Sequence, residues 1–379
     1  MSPLAPKTLV GDIRKGHELD TARLEEFLKQ SMKELALPLT LKQFNVGQSN
    51  PTYLIIANDG RRFVLRKKPA GQLLSKTAHA VEREYRVLDA LGRHSDVPVP
   101  KVYALCEDTS VVGTPFYLME FLEGRILPDA SLPEITPSER PLYWRALVDT
   151  LAKLHKVDYR KVGLEGYGRP SGYYDRQMRS LTRVAEAQAA AEDKSGKKVG
   201  GLHRFDELKQ WCATHECPDE TTIVHGDFKM DNVVWHPTQP TVVGILDWEL
   251  STLGNPRSDL ANLLQPLMIP FHDNGKIDLA ALKGLKGAPK EEHAPSEEEL
   301  LRQYCRLMGR EYPLNGWDFA VVFGLFRNAV IQQGVAARVA KGQASSGFAH
   351  LVGKLFPRTM ELAMHVVDES RAKDLRSKL

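Results

Sequence analysis

The segment His225-Gly226-Asp227-Phe228-Lys229-Met230-Asp231-Asn232, followed by Asp247, concentrates residues whose types and order could do chemistry. Asp227 offers a carboxylate able to accept or orient the proton of a hydroxyl. Lys229 brings a cation two residues on. Asn232 and Asp247 offer hard oxygen donors of the kind that hold Mg²⁺. A positioned hydroxyl, a metal-neutralised phosphate chain and little water are what phosphoryl transfer requires. The flanking residues explain how two distant donors could share one ion. Asn232-Val233-Val234-Trp235 and Val242-Val243-Gly244-Ile245-Leu246 are apolar runs, with His236-Pro237-Thr238-Gln239-Pro240 as turn residues between them. This pattern predicts a hairpin with Asn232 at the start of one strand and Asp247 at the end of the other. Asp and Asn also build turns with no chemical role, but turn-building alone does not account for Asp247.

Other elements must position these groups. Leu24, Phe27, Leu28, Met32 and Leu35 form a helical stripe within residues 19–37. Residues 39–46, 52–56 and 62–65 read as three strands, with Asn58-Asp59-Gly60 as the turn between the second and third. The connection Gly47-Gln48-Ser49-Asn50-Pro51 lies between the first two strands. Its backbone N–H groups, with the hydroxyls of Ser49 and Thr52, could cup phosphates. A helix over 77–92 carries Glu82 and Glu84, and strands follow at 101–106 and 115–121. From Ser138 the pattern turns helical, with Trp144, Leu147, Leu151 and Leu154 as a core stripe. A long helix runs from Tyr173 to about Asp193, and 194–201 and 284–299 read as polar connections.

The order His-x-Asp-x-Lys-x-x-Asn, then a separate Asp, is also the order of the protein-kinase catalytic loop. No Asp-Phe-Gly or Ala-Pro-Glu follows Asp247, which favours a small-molecule acceptor over a protein. Further segments carry a fuller resemblance. They include Phe44-Asn45-Val46-Gly47-Gln48-Ser49-Asn50-Pro51-Thr52-Tyr53, Phe63-Val64-Leu65-Arg66-Lys67-Lys68-Pro69, Tyr117-Leu118-Met119-Glu120-Phe121, Leu246-Asp247-Trp248-Glu249 and Ser258-Asp259-Leu260-Ala261. On these the chain resembles the aminoglycoside phosphotransferase–choline kinase superfamily. More narrowly it is similar to the kinase-like domain of acyl-CoA dehydrogenase family members ten and eleven.

The resemblance implies a two-lobed α+β fold, with an N-lobe at 1–121 built on a small antiparallel sheet and a mainly helical C-lobe at 122–379. It implies ATP and Mg²⁺. Gly47, Ser49, Asn50 and Thr52 would hold the triphosphate, and Glu120 and Leu122 would meet the adenine through their main chain. Arg66 stands where kinases place a lysine. Arginine keeps the charge and adds a bidentate fork, and Lys68, on the same strand face, is the other choice. Glu84 would pair with Arg66. Asp227 would act as base, Lys229 would stabilise the moving phosphoryl group, Asn232 and Asp247 would hold the metal, and Glu249 would face it through water. Asp259 would be a buried scaffold group for the catalytic loop. Tyr174, Arg176, Gln177, Arg327, Gln333 and Arg338 match segments expected to line the acceptor side. The implied acceptor is a hydroxylated acyl group, a 4-hydroxyacyl-CoA above others. Two alternatives stay open. One is a kinase for another small alcohol or amine, although residues 170–190 carry more Arg than acid. The other is a non-catalytic nucleotide-binding pseudokinase. A partner acyl-CoA dehydrogenase would act in trans.

Composition bounds the rest. The 379 residues are 42% hydrophobic and 26% charged, with a formal net charge of +3, which does not point to nucleic acid. No uninterrupted apolar run approaches the roughly 18–20 residues of a membrane span, and residues 1–14 lack a signal-like apolar core. Cys106, Cys212, Cys217 and Cys305 lack paired zinc spacing and read as free thiols. Ser377-Lys378-Leu379 matches the address read by the peroxisomal import receptor at a free C-terminus, with the cytoplasm as the alternative location.

Overall fold

The structure is a computed structural model that describes residues 10–45, 50–69, 80–271, 284–344 and 348–376. Gly47, Ser49, Ser377, Lys378 and Leu379 lie outside the described residues. The chain forms two compact units, one of residues 1–126, 158–167 and 232–251, the other of 127–157, 168–231 and 252–379.

The first unit opens with β1 (Val10–Gly11), α1 (Thr21–Ser31), β2 (Thr40–Phe44), β3 (Thr52–Ile56), β4 (Arg62–Lys67), α2 (Val81–His94), β5 (Val102–Cys106), α3 (Thr109–Val112) and β6 (Phe116–Glu120). The strands form one antiparallel sheet in the order β1-β2-β3-β4-β6-β5. Tyr53, Ile55, Phe63, Leu65, Phe116 and Leu118 pack one face against Leu24 and Leu28 of α1. Side chains alternate along a strand, so the same register puts Arg66 and its cross-strand partner Tyr117 on the other face. The first helix stops at Ser31 rather than near residue 37. Ala36 instead gives its carbonyl to the Asn58 N–H at 3.0 Å, which draws that stretch to the β3–β4 turn.

The chain continues through α4 (Arg140–Lys156), α5 (Tyr173–Ala189), α6 (Phe205–Thr214) and β7 (Thr222–Val224) of the second unit. It returns to the first unit as the hairpin β8 (Val233–Trp235) and β9 (Val242–Ile245). It then completes the second unit with β10 (Thr252–Gly254), α7 (Pro256–Met268), α8 (Glu297–Met308), α9 (Trp317–Ala340), α10 (Ala349–Val352) and α11 (Phe356–Arg376). The expected lobes are cut once after residue 121, while each compact unit draws on several separate stretches of the chain. Arg125 and Trp235 exchange two backbone hydrogen bonds at 2.8 Å, and the Ile245 N–H donates to Pro98 O at 2.9 Å. Glycine permits this closeness: a Cβ at Gly124 would collide with the Trp235 carbonyl, and one at Gly244 with the Leu122 side chain.

In the second unit β7 and β10 pair antiparallel. The helix α9 is long and apolar enough to cross a membrane by composition, but 61% of its apolar window is buried in the protein, as in a core helix. The expected polar connection at 284–299 ends sooner, because Glu297, Glu298 and Glu299 form the acidic first turn of α8. Ser296 caps that turn by accepting the Glu299 N–H at 3.1 Å.

Candidate active site

In the first unit β4 directs Arg66 at three carboxylates. Its Nη2 lies 2.6 Å from Asp247 Oδ1 and 3.4 Å from Glu249 Oε2. Its Nε lies 3.0 Å from Glu84 Oε2, an ion contact without hydrogen-bond alignment. Glu84 is 1% exposed and accepts from Asn50 Nδ2 at 2.9 Å and from the Tyr117 hydroxyl at 3.1 Å. Burial pushes the Glu84 carboxyl up to about 7; Asp247 and Glu249 add to this, while Arg66 and Tyr117 oppose it. Burial also works against the Arg66 charge, but Glu84 and Asp247 outweigh it and hold the guanidinium protonated.

The hairpin delivers Asp247 to this cluster. Val233 faces Ile245 in the ladder, and the Leu246 N–H donates to Asn232 O at 2.8 Å. Asn232 and Asp247 therefore sit at the same open end. Asp247 is left-handed, with φ 66° and ψ 59°, a region that Asp tolerates better than most residues. The turn after it is fixed by Trp248 Nε1 donating to Ile245 O at 3.0 Å and Ser251 Oγ donating to Trp248 O at 2.6 Å. The donor chemistry fits magnesium. One amide oxygen and one carboxylate that is 36% exposed are hard ligands, and Mg²⁺ takes one or two carboxylates while phosphate and water complete its shell. Among the described residues no group of three or more His, Cys, Asp or Glu side chains forms an all-protein cage.

In the second unit the loop around Asp227 is held by its backbone. Asp259, 1% exposed, accepts the His225 N–H at 2.6 Å and the Gly226 N–H at 2.8 Å. Burial acts to raise its carboxyl, but His155 and His225 prevail and hold it below the usual carboxylate range. His155 is itself fixed by the Tyr304 hydroxyl at 2.8 Å. Asn262 Nδ2 donates to Phe228 O at 3.1 Å and Arg327 Nη2 to Gly226 O at 2.6 Å. Lys229 Nζ lies 3.4 Å from both Asp227 Oδ2 and Asp231 Oδ2. Burial works against its charge, and the two carboxylates reverse that and raise it.

Several expected site residues have other duties. Lys68 pairs with Glu82 at 3.1 Å, away from the Arg66 carboxylates. The Thr52 hydroxyl donates to Asn50 O at 3.0 Å, and Asn50 is 2% exposed and committed to Glu84. Glu120 gives its N–H to Lys101 O at 2.8 Å within the sheet, and Leu122 packs over Gly244. The acceptor set is largely structural. Tyr174 is 7% exposed and sits edge-on to Tyr173, Phe319 and Phe323. Gln333 is fully buried, with Nε2 on Gly200 O at 2.8 Å. Arg176 donates to Arg169 O at 3.1 Å, and Arg327 braces the loop at Gly226. Gln177 is half-buried on α5, and Arg338 is exposed on α9. These residues point to different sides of α5 and α9, from the buried Gln333 to the exposed Arg338, an orientation the local pattern does not give. Tyr117 is a partner of Glu84 that no local sequence signal marks, although its register opposite Arg66 follows once β4 and β6 pair.

The chain belongs to the Phosphotransferase enzyme family, whose pattern matches residues 40–310. It is 41% identical over 353 residues to the "Probable acyl-CoA dehydrogenase IBR3" of Arabidopsis thaliana, covering 89% of this chain and 41% of that protein. It is 40% identical over 354 residues to "Acyl-CoA dehydrogenase family member 10" of Mus musculus, covering 93% of this chain and 31% of that protein. The chain thus spans less than half the length of these curated relatives. The crystal structure of a "putative aminoglycoside phosphotransferase" from Ralstonia eutropha superposes with a TM-score of 0.79 at 37% identity, covering 93% of this chain and 99% of that one. The fold is therefore the expected α+β kinase-like one, with a small antiparallel-sheet unit and a larger, mainly helical unit.

Proposed function

We propose that this phosphotransferase moves the γ-phosphoryl group of ATP to the hydroxyl of a small acceptor, a 4-hydroxyacyl-CoA above others. The observation that carries the reading is the pair of backbone bonds by which Asp259 pins His225 and Gly226, so that Asp227 follows a fixed turn with Lys229 beside it. In this reading the hydroxyl oxygen forms the new O–P bond, the bond to the diphosphate leaving group breaks, and Asp227 takes the hydroxyl proton. Lys229 offsets the charge of the moving phosphoryl group, and Arg66 exchanges Asp247 for phosphate oxygens. Asn232 and Asp247 would hold magnesium, which neutralises charge on the phosphates when bound. Support for the acyl acceptor comes from the acyl-CoA dehydrogenase names of the curated relatives, which also motivate a dehydrogenase partner in trans. The aminoglycoside name of the Ralstonia structure supports the second reading, an amino-alcohol or aminoglycoside kinase. A peroxisomal location is proposed on Ser377-Lys378-Leu379.

The test is ATP turnover against 4-hydroxyacyl-CoAs, small alcohols and aminoglycosides, with products read by phosphorus NMR. Transfer to the hydroxyacyl-CoA, lowered about 10²–10⁴-fold by Asp227→Asn and abolished by Asp247→Asn in folded protein, is the expected result. Transfer to an aminoglycoside alone favours the second reading, and ATP binding without transfer to anything rejects both. A fluorescent fusion at the N-terminus should enter peroxisomes, and masking Leu379 with added residues should stop it.

A further inference from the structure

Residues 158–167 belong to the first unit although the chain on both sides belongs to the second. Two arginines of α2 hold this stretch. Arg83 Nη2 donates to Tyr167 O at 2.8 Å and Ser251 O at 3.4 Å, and its Cζ lies 4.4 Å from the centre of the Tyr167 ring. Arg86 Nη2 donates to Gly163 O at 3.1 Å and Glu165 O at 2.9 Å. The Tyr167 hydroxyl pairs with Ser251 Oγ and also reaches Arg83 O at 3.3 Å. Tyr167 is 1% exposed and the Arg83 bonds are part-buried, so the guanidinium on this ring and its carbonyls binds more firmly than at a surface, while the Arg86 bonds lie exposed.

The placement of this group matters. Arg83 is the neighbour of Glu84 in the first turn of α2, and that helix has no side-chain N-cap bond. Ser251 closes the turn that carries Asp247 and Glu249. Arg66 leans on the same two elements, with Nε toward Glu84 and Nη2 toward Asp247 and Glu249. Two bridges therefore join α2 to the Asp247 turn, one through Arg66 and one through Arg83. A ligand that takes Asp247 or the Arg66 guanidinium opens the first bridge. The hydrogen bonds and ring contact of the second run between Arg83, Tyr167 and Ser251 and do not use Arg66 or Asp247, so they are expected to survive.

We propose that Arg83, Tyr167 and Ser251 form a positioning clamp that keeps Glu84 and the Asp247 turn at a fixed separation while Arg66 changes partners. This rests on the phosphotransferase reading above. The three residues act through Arg66 and Glu84. They are positioning residues, and their loss acts on nucleotide handling before acceptor handling.

The experiment uses the full chain with Arg83→Ala, Arg83→Lys and Tyr167→Phe. Amide hydrogen exchange of the α2 peptide is measured together with steady-state kinetics at varied nucleotide and varied acceptor. Arg83→Ala should speed exchange in α2 and raise the nucleotide KM about tenfold, the loss of one firm contact, with the acceptor KM unchanged. Arg83→Lys keeps a donor without the fork and should recover part of the loss. Tyr167→Phe keeps the ring and should show the same pattern more weakly. Arg83→Lys and Tyr167→Phe carry the test if the alanine variant does not fold. Lowered melting temperatures with unchanged nucleotide KM and unchanged α2 exchange would overturn the clamp. If the wild-type chain transfers no phosphate, the proposed function falls, and α2 exchange alone still decides the clamp.

Discussion

Around Arg66 the partners are side chains: Glu84, Asp247 and Glu249 share one guanidinium, with Asn50 and Tyr117 behind. Around Asp227 they meet main chain: Asp259, Asn262 and Arg327 hold the N–H or C=O groups of residues 225, 226 and 228. Side-chain partners can be exchanged when a charged ligand arrives, because each rotates about its own torsions. Main-chain partners fix a loop whether or not a ligand is present. Holding a triphosphate needs the first kind of construction. On the proposed function, aligning the Asp227 carboxylate for proton transfer needs the second, since small misplacements cost rate.

The comparison breaks first at Asp227. Asp227→Asn keeps the loop bonds and removes the proposed base, so turnover should fall by about 10²–10⁴-fold with an unchanged melting temperature. Steady-state rates beside a thermal melt check this.

Next comes Asp259→Ala, which strips acceptors from two N–H groups in the interior. Stability should drop by about 2–5 kcal/mol, with rate falling alongside, as read by denaturant titration. Because the folded carboxyl titrates below its ordinary value, its contribution is present above about pH 4 and lost as pH falls through the folded value. The variant should lack that acid-side slope. Full stability and turnover in Asp259→Ala would dismiss its scaffold role.

The Arg66 side gives a slope of opposite sign. Glu84 is raised to about 7 from an ordinary 4.5, so folding is favoured fully below the ordinary value, and this advantage is lost as pH rises through about 7. Wild type should lose up to about 3 kcal/mol between pH 5 and 8 at roughly 1.4 kcal/mol per unit, and Glu84→Gln should flatten that decline. Melts at the two pH values decide it. An identical decline in both proteins places the titration elsewhere.

The smallest effect sharpens the division within β4. Lys68 is engaged by Glu82 in a partly exposed pair, so Lys68→Met should change the nucleotide KM by less than about twofold, as exposed pairs are weak. Arg66→Met should raise it about tenfold or more, because a guanidinium with three carboxylates around it is lost. The reverse ranking would make Lys68 the phosphate ligand.

Local spacing made much of this protein legible. The runs around His236-Pro237 gave the β8–β9 hairpin and therefore the shared end of Asn232 and Asp247. Alternation in β4 put Arg66 and Lys67 on opposite faces, and Lys67 indeed donates to Val112 O at 2.7 Å, away from the carboxylates. The acceptor side was not legible. Tyr174 and Gln333 face the interior of the helical unit, because the side of α5 and α9 turned inward depends on neighbours the local pattern does not name.

Asp227, Lys229, Asn232 and Asp247 are close enough in sequence, and flanked strongly enough by turns and apolar runs, for their types and order to announce phosphoryl chemistry. The contacts that tune them come from far away. Asp247 meets Arg66 across 181 positions, the Asp259 carboxylate meets His225 across 34, and Arg83 reaches Ser251 across 168. Such partners are chosen by which strands pair and which helices bury. Burial then sets the charge balance, so Glu84 moves to about 7 through a desolvation that no stretch of sequence around it contains.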